Sequence, residues 1–159
     1  MPGLIDEAAL TRYIINTLGG VDIVNDGDNT FFFFDPGRNL PVDRRFPFAT
    51  IVVSDSYDEA SNLNREGVYR LNLGVSRETC QALFGSNAPA DTLGTDYDFT
   101  ALDTIMPHPV YGTMHWVCVL NPSPETFERV KPLLDEAHER AATRYERSHS
   151  GGAEQEETW

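Results

Sequence analysis

Hydrophobic residues along the chain fall into short runs of strand length and into stripes with the three-and-four spacing of helices. Residues 68–75 alternate most cleanly between apolar and polar or small side chains. The apolar positions of this run are Tyr69, Leu71, Leu73 and Val75. A period of two predicts a strand with one buried face, and it directs Arg70, Asn72 and Gly74 to the opposite face.

Four other runs have the length and composition of strands: residues 21–24, 30–34, 49–54 and 116–120. Asp-Gly between the first two predicts a hairpin turn. The second run ends in four consecutive phenylalanines, which put two rings on each face of the sheet. Both sheet faces must therefore be covered, one by helices and the other by loops or a bound partner.

Three helices are predicted, each preceded by a residue that caps helices well. Asp6 precedes a helix over residues 7–18, and Ser76 precedes one over 77–84. Ser123 and Pro124 begin the longest helix, whose apolar positions recur at spacings of three and four. Pro132 lies inside it and removes one backbone hydrogen bond, so the helix either kinks or splits there. One kinked element is the favoured interpretation.

The order of these elements predicts the fold class. It runs helix, three or four antiparallel strands, helix, strand, long helix, with no regular strand-helix-strand alternation. We therefore expect an α+β fold: a two-layer sandwich whose antiparallel sheet of about five strands carries helices on one face. Residues 1–147 are predicted to form a single domain, and residues 148–159 an acidic, disordered tail.

Charge and composition narrow the range of functions. The net charge is −13, from 25 acidic against 12 basic residues, and no basic patch is evident, so nucleic-acid binding is disfavoured. Because the chain has no apolar run of membrane-spanning length and no signal-peptide pattern, we expect a cytoplasmic protein without membrane contact. Cys80 and Cys118 lie in apolar surroundings and are expected to be free, buried thiols. No metal site or cofactor is predicted.

Three segments carry a resemblance to known proteins. These are V-Y-R-L-N-L-G-V-S-R-E-T, M-P-H-P-V-Y-G-T-M-H-W-V-C-V-L-N-P and F-E-R-V-K-P-L-L-D-E-A. Together they resemble an uncharacterised bacterial family known only as a domain of unknown function, of family 6194 type. His115-Trp116, the strand after them and the final helix are more distantly similar to the MmcQ/YjbR family. That second resemblance implies a CyaY-like α+β fold.

The polar face of the sheet is the first candidate for a ligand site. Arg70 and Asn72 stand on one strand, where neighbouring strands add aromatic rings such as Phe33, and an arginine among aromatic rings can anchor a carboxylate. Tyr111 and His115 lie in the connection before the strand at 116–120 and complete the predicted ligand-binding set. The alternative is that Arg70 pairs with an acidic residue of a loop.

Two classes of function remain open at this point. One is a binding or accessory protein that takes a small anionic or aromatic ligand, or a protein partner, on the polar sheet face. The other is a small enzyme or metal-dependent protein that uses His108 and His115 with acidic loop residues. A structural role for both histidines is the simpler alternative to catalysis, and the sequence does not decide whether the protein is an enzyme.

Overall fold

The computed structural model describes residues 5–38, 40, 46–85 and 97–149, without the side chains of residues 148 and 149. In these residues three helices pack on a six-stranded antiparallel sheet with the strand order β1-β2-β3-β4-β6-β5. The strands are β1 (Val21–Asp26), β2 (Asn29–Phe34), β3 (Ala49–Val52), β4 (Arg70–Gly74), β5 (Met106–Pro107) and β6 (Trp116–Leu120). The helices are α1 (Glu7–Thr17), α2 (Arg77–Phe84) and α3 (Pro124–His149), and a short 3₁₀ helix spans Gly112–Met114.

The predicted helix starts are confirmed by their capping bonds. Asp6 accepts the backbone N–H of Ala9 at 2.8 Å, and Ser76 accepts that of Thr79 at 3.0 Å. The Ser123 hydroxyl accepts the N–H of Thr126 at 3.2 Å. Each cap satisfies a donor that has no partner inside the first helical turn.

The main core lies between the helices and one face of the sheet. Alternation in β4 and β6 sends Leu71, Leu73, Val117 and Val119 into it. Helices α1, α2 and α3 supply residues such as Leu10, Ile14, Cys80, Val130 and Leu134. The two-layer α+β arrangement with helices on one sheet face is therefore confirmed.

The opposite face of the sheet is covered by connecting segments. Val52, Cys118 and Leu120 form a second, smaller apolar cluster there with Leu63 and Phe99, which lie in the connections after β3 and before β5. Arg70 and Asn72 belong to this face, because Arg70 is paired with Val52 and Leu120 across the sheet. Thus the strand that was predicted to be half polar is buried on both faces.

Two features differ from the expectation or extend it. The sheet has six strands rather than about five, because Met106 and Pro107 pair with Cys118 and Val117 as a short edge strand. Two residues give almost no periodicity, so sequence patterns do not reveal such a strand. Helix α3 continues through Pro132 as one element and reaches His149, two residues beyond the predicted domain end. The rest of the predicted tail lies outside the described residues.

Both cysteines are buried and unpaired, as expected. Within the described part of the chain, no helix has the length and apolar character needed to cross a membrane.

Candidate functional site

Arg70 lies in the middle of the sheet on the loop-covered face and is only 1% exposed. Its guanidinium makes a two-point contact with Asp58, at 3.0 Å from Nη1 to Oδ1 and 2.7 Å from Nη2 to Oδ2. Nη1 also donates to the Ser61 hydroxyl, and Nε donates to Asn72 Oδ1, both at 3.0 Å. Arg70 is therefore paired with an acidic loop residue, the alternative that the sequence left open.

The neighbours of this pair are also satisfied internally. The Asn72 amide donates to the Thr50 hydroxyl at 2.9 Å, so both ends of the amide are engaged. Burial alone would raise the pKa of Asp58, but the hydrogen bonds and charge of Arg70 outweigh it, and the pKa lies below its ordinary value. The carboxylate thus remains charged at neutral pH and holds the guanidinium. An external anion would have to displace it to reach Arg70.

His108 lies beside Arg70 and is 3% exposed. Its Nδ1 accepts the backbone N–H groups of Val110 and Tyr111, each at 3.0 Å. Burial, followed by the charge of Arg70, lowers the pKa of His108 to about 3. The imidazole is therefore neutral at physiological pH and is a weak base, which favours the structural role over the alternative of acid–base chemistry.

Of the other predicted ligand residues, only Tyr111 lies next to the group around Arg70, through its contact with His108. Phe33 is buried in β2, two strands away from β4. The Tyr111 ring is half exposed and packs on the His108 ring at a centroid distance of 5.1 Å. His115 ends the 3₁₀ helix in a left-handed conformation, with φ of 70°, and is only partly buried. The fold therefore brings together Arg70, Asn72, His108 and Tyr111, but not Phe33 or His115.

A second site lies beyond the end of β4, in a groove of about 370 Å³. It runs between the C-terminal half of α3, the residues before β3, and the segment that leads into β6. Its lining is formed by Phe46, Pro47, Phe48, Gly74, Val75, Met114, Trp116, Ala137, Arg140 and Arg144. Phe46 and Met114 are 63% and 65% exposed, more than any other large apolar side chain among the described residues.

The polar groups of this groove are Arg140 and Arg144, which lie four residues apart on one face of α3. Neither has a hydrogen-bond or ion-pair partner among the described residues. Burial and, less strongly, the charge of Arg140 lower the pKa of Arg144, although a guanidinium stays protonated. Glu136, one turn before Arg140, instead accepts from the backbone of Ser76 at 3.3 Å and from the Thr79 hydroxyl at 2.8 Å.

A family model described as a family of unknown function, DUF6194, matches residues 5–150. The chain belongs to this family. Neither the curated proteins nor the solved structures contain a match. The predicted resemblance to an uncharacterised family is thereby confirmed, whereas the distant similarity to MmcQ/YjbR is not shown.

The groove of this DUF6194 domain was missed in the sequence, although one signal was present. Arg140 and Arg144 have the spacing of neighbours on a helix, and like charges at that spacing repel each other. The apolar wall gave no comparable signal, because Phe46, Gly74 and Trp116 are distant in sequence and meet only in the folded domain. Among the described residues, no group of three or more histidine, cysteine or acidic side chains is placed to hold a metal ion.

Proposed function

We propose that this DUF6194 domain is a binding protein for a small organic anion with an apolar, preferably aromatic, body, held in the groove beside α3. One observation carries the proposal: two guanidinium groups without a partner among the described residues line an apolar groove in a chain of net charge −13. The proposal keeps the class of ligand predicted from the sequence. It moves the ligand from Arg70 to Arg140 and Arg144.

The walls of the groove suit the body of such a ligand. Trp116, Phe46 and Met114 offer aromatic and polarizable surface, and the buried Phe48 and Val75 form the apolar floor. The volume lies within the range of small-molecule sites, which are mostly apolar with a few polar anchors. Burying an aromatic ring here would also remove the exposed apolar side chains from water.

The two arginines suit the charged end of the ligand. A guanidinium binds carboxylates, sulfonates and phosphates through two parallel N–H donors, and a hydrogen bond to a charged group contributes about 1.5–3 kcal/mol. At Arg70 these donors are already occupied by Asp58, Asn72 and Ser61. At Arg140 and Arg144, no described residue competes with the ligand.

The proposal is tested with 1-anilinonaphthalene-8-sulfonate, an aromatic sulfonate whose emission rises in apolar surroundings. The full chain is titrated beside the double variant Arg140→Gln/Arg144→Gln. The matched control is Arg12→Gln/Arg77→Gln, which removes the same charge from two exposed arginines outside the groove. The uncharged analogue N-phenyl-1-naphthylamine measures the apolar part of the binding.

We expect the groove variant to bind the sulfonate at least about tenfold more weakly, since even one lost charge-assisted bond is worth that factor. The control should bind like the parent, and the uncharged analogue should not distinguish the three proteins. Equal sulfonate affinities for the groove variant and the control would refute the proposal. A rise in melting temperature with the sulfonate, present in the parent and control only, provides an independent check.

A further inference from the structure

The wall of the groove that carries Met114 and Trp116 belongs to a compact loop, residues 108–116. The backbone N–H of His108 donates to the carbonyl of Trp116 at 2.9 Å and closes the loop at its base. The carbonyl of Tyr111 accepts from the N–H groups of Met114 and Trp116, at 2.9 and 3.2 Å. The position of Met114 thus depends on where the backbone of Tyr111 lies, and Trp116, which is also paired with Gly74 across the sheet, is held there from its N-terminal side.

The side chain of His108 fills the inside of this loop. Its Nδ1 accepts the N–H of the second and third residues that follow it, Val110 and Tyr111, each at 3.0 Å. The Tyr111 ring packs on the imidazole from outside. This buried acceptor, together with the carbonyl of His108 that accepts the N–H of Gly112 at 3.0 Å, holds the turn from which the hydrogen bonds to Met114 and Trp116 continue.

The Arg70 side of the imidazole contributes little to holding it. Because Nδ1 accepts two hydrogen bonds, the proton of the neutral ring is on Nε2. Nε2 lies 3.4 Å from Nη2 of Arg70, which is likewise a hydrogen-bond donor and has no capacity to accept. Because two donors cannot form a hydrogen bond with each other, the imidazole is held by the hydrogen bonds that its Nδ1 accepts from the loop backbone.

We propose that His108 is a positioning residue for the groove: it holds loop 108–116 in the conformation that places Met114 and Trp116 against the ligand, without touching the ligand itself. This inference rests on the proposed ligand function of the groove. It also gives a specific form to the structural role that the sequence favoured over catalysis for His108. The essential property is an acceptor at the position of Nδ1, not a titrating imidazole.

Two substitutions of nearly equal size separate these properties. Asparagine carries an oxygen at the position of Nδ1, and asparagine side chains commonly accept from backbone N–H groups that follow them in turns. Leucine has the same branching without an acceptor. Neither reaches Arg70, so the comparison of His108→Asn with His108→Leu isolates the two loop hydrogen bonds.

Both variants are made in a full-length Trp159→Phe background, where Trp116 is the sole tryptophan. We expect His108→Asn to keep the emission maximum of Trp116, its protection from iodide and the affinity for 1-anilinonaphthalene-8-sulfonate. His108→Leu should shift the emission to the red, increase quenching, and weaken binding about three- to tenfold, because losing one or two hydrogen bonds lowers the population of the competent loop. The circular dichroism of both should match the parent.

The inference is overturned if His108→Leu leaves Trp116 emission and sulfonate binding unchanged, or if His108→Asn loses as much as His108→Leu. Should His108→Leu not fold, His108→Gln replaces it, since its oxygen lies one bond too far to reach the loop donors. Failure of the ligand proposal is separately visible: the parent would not bind the sulfonate through Arg140 and Arg144. The emission of Trp116, which needs no ligand, then decides the role of His108 alone.

Discussion

Replacing Asp58 with asparagine would remove the one negative charge that the described residues place in contact with the Arg70 guanidinium, while keeping the shape of the side chain. The side chains of Arg70 and Asp58 are 2% and 15% exposed, so solvent cannot replace the lost charge at Arg70. Breaking a buried ion pair by removing one partner typically costs about 3–5 kcal/mol. Asn72 and Ser61 still accept from Arg70 in the variant, which places the expected loss at the lower end, about 3 kcal/mol.

Two companion variants test the explanation itself. Arg70→Met leaves Asp58 without its partner, but the Asp58 carboxylate retains some contact with water. The substitution should therefore lower the free energy of unfolding by less than Asp58→Asn does, by about 2 kcal/mol. The double variant Asp58→Asn/Arg70→Met removes both charges and fills the space with an apolar chain. Since apolar replacements of buried ion pairs are often close to neutral, it should be more stable than Asp58→Asn alone.

Urea unfolding followed by circular dichroism measures all three free energies of unfolding. For a domain of this size, the loss in Asp58→Asn corresponds to a fall in melting temperature of about 6–12 °C. The explanation is refuted if Asp58→Asn costs less than about 1 kcal/mol, or if the double variant is less stable than Asp58→Asn. Either result would mean that a buried Arg70 charge without a negative partner is not what destabilises the Asp58→Asn variant.

Three further predictions concern other parts of the domain. The pKa of Asp58 in the folded state is below its unfolded value, so the ion pair stabilises the protein above about pH 4 and this stabilisation is lost as the pH falls further. The free energy of unfolding of Asp58→Asn should therefore change less with pH below about pH 4 than that of the parent protein. Gly74→Ala would place its new carbon 3.0 Å from the indole of Trp116, and urea unfolding should show a loss of about 1–3 kcal/mol; an unchanged midpoint would contradict the packing. Burial raises the pKa of the Cys80 thiol to about 11 and that of Cys118 to about 12, so neither should react with a disulfide reagent at pH 8 until the chain unfolds, and fast reaction of the native protein would contradict their burial.

Local patterns were sufficient to predict most of the elements. The caps at Asp6, Ser76 and Ser123 act within three residues, and strand alternation in β4 is a property of adjacent positions, so both are visible without tertiary structure. The strand at Met106–Pro107 was not predicted, because it exists only through its pairing with β6. Its two residues carry no signal of their own.

The candidate site was less accessible from sequence. The pattern correctly placed Arg70 and Asn72 on the same face of β4, but it could not choose among the many acidic residues that might reach the guanidinium. Asp58 is twelve residues away, in a connection whose path is set by the apolar contacts of Leu63 with the sheet. The burial of Arg70 therefore depended on loop structure rather than on the strand.

The contrast between the arginines of this domain bears on function. The chain has 25 acidic residues, and folding has directed one of them to Arg70 and directed Glu136 away from Arg140 toward α2. Leaving Arg140 and Arg144 adjacent costs a few tenths of a kcal/mol through their mutual repulsion in the helix, whereas one acidic neighbour would turn this into a gain. Stability alone thus favours a paired arrangement at the groove as well, although far less strongly than at Arg70, because Arg140 and Arg144 are exposed to solvent and Arg70 is buried. The anionic ligand proposed above would supply a charge that no described residue provides to Arg140 and Arg144, and its body would cover the exposed apolar wall beside them.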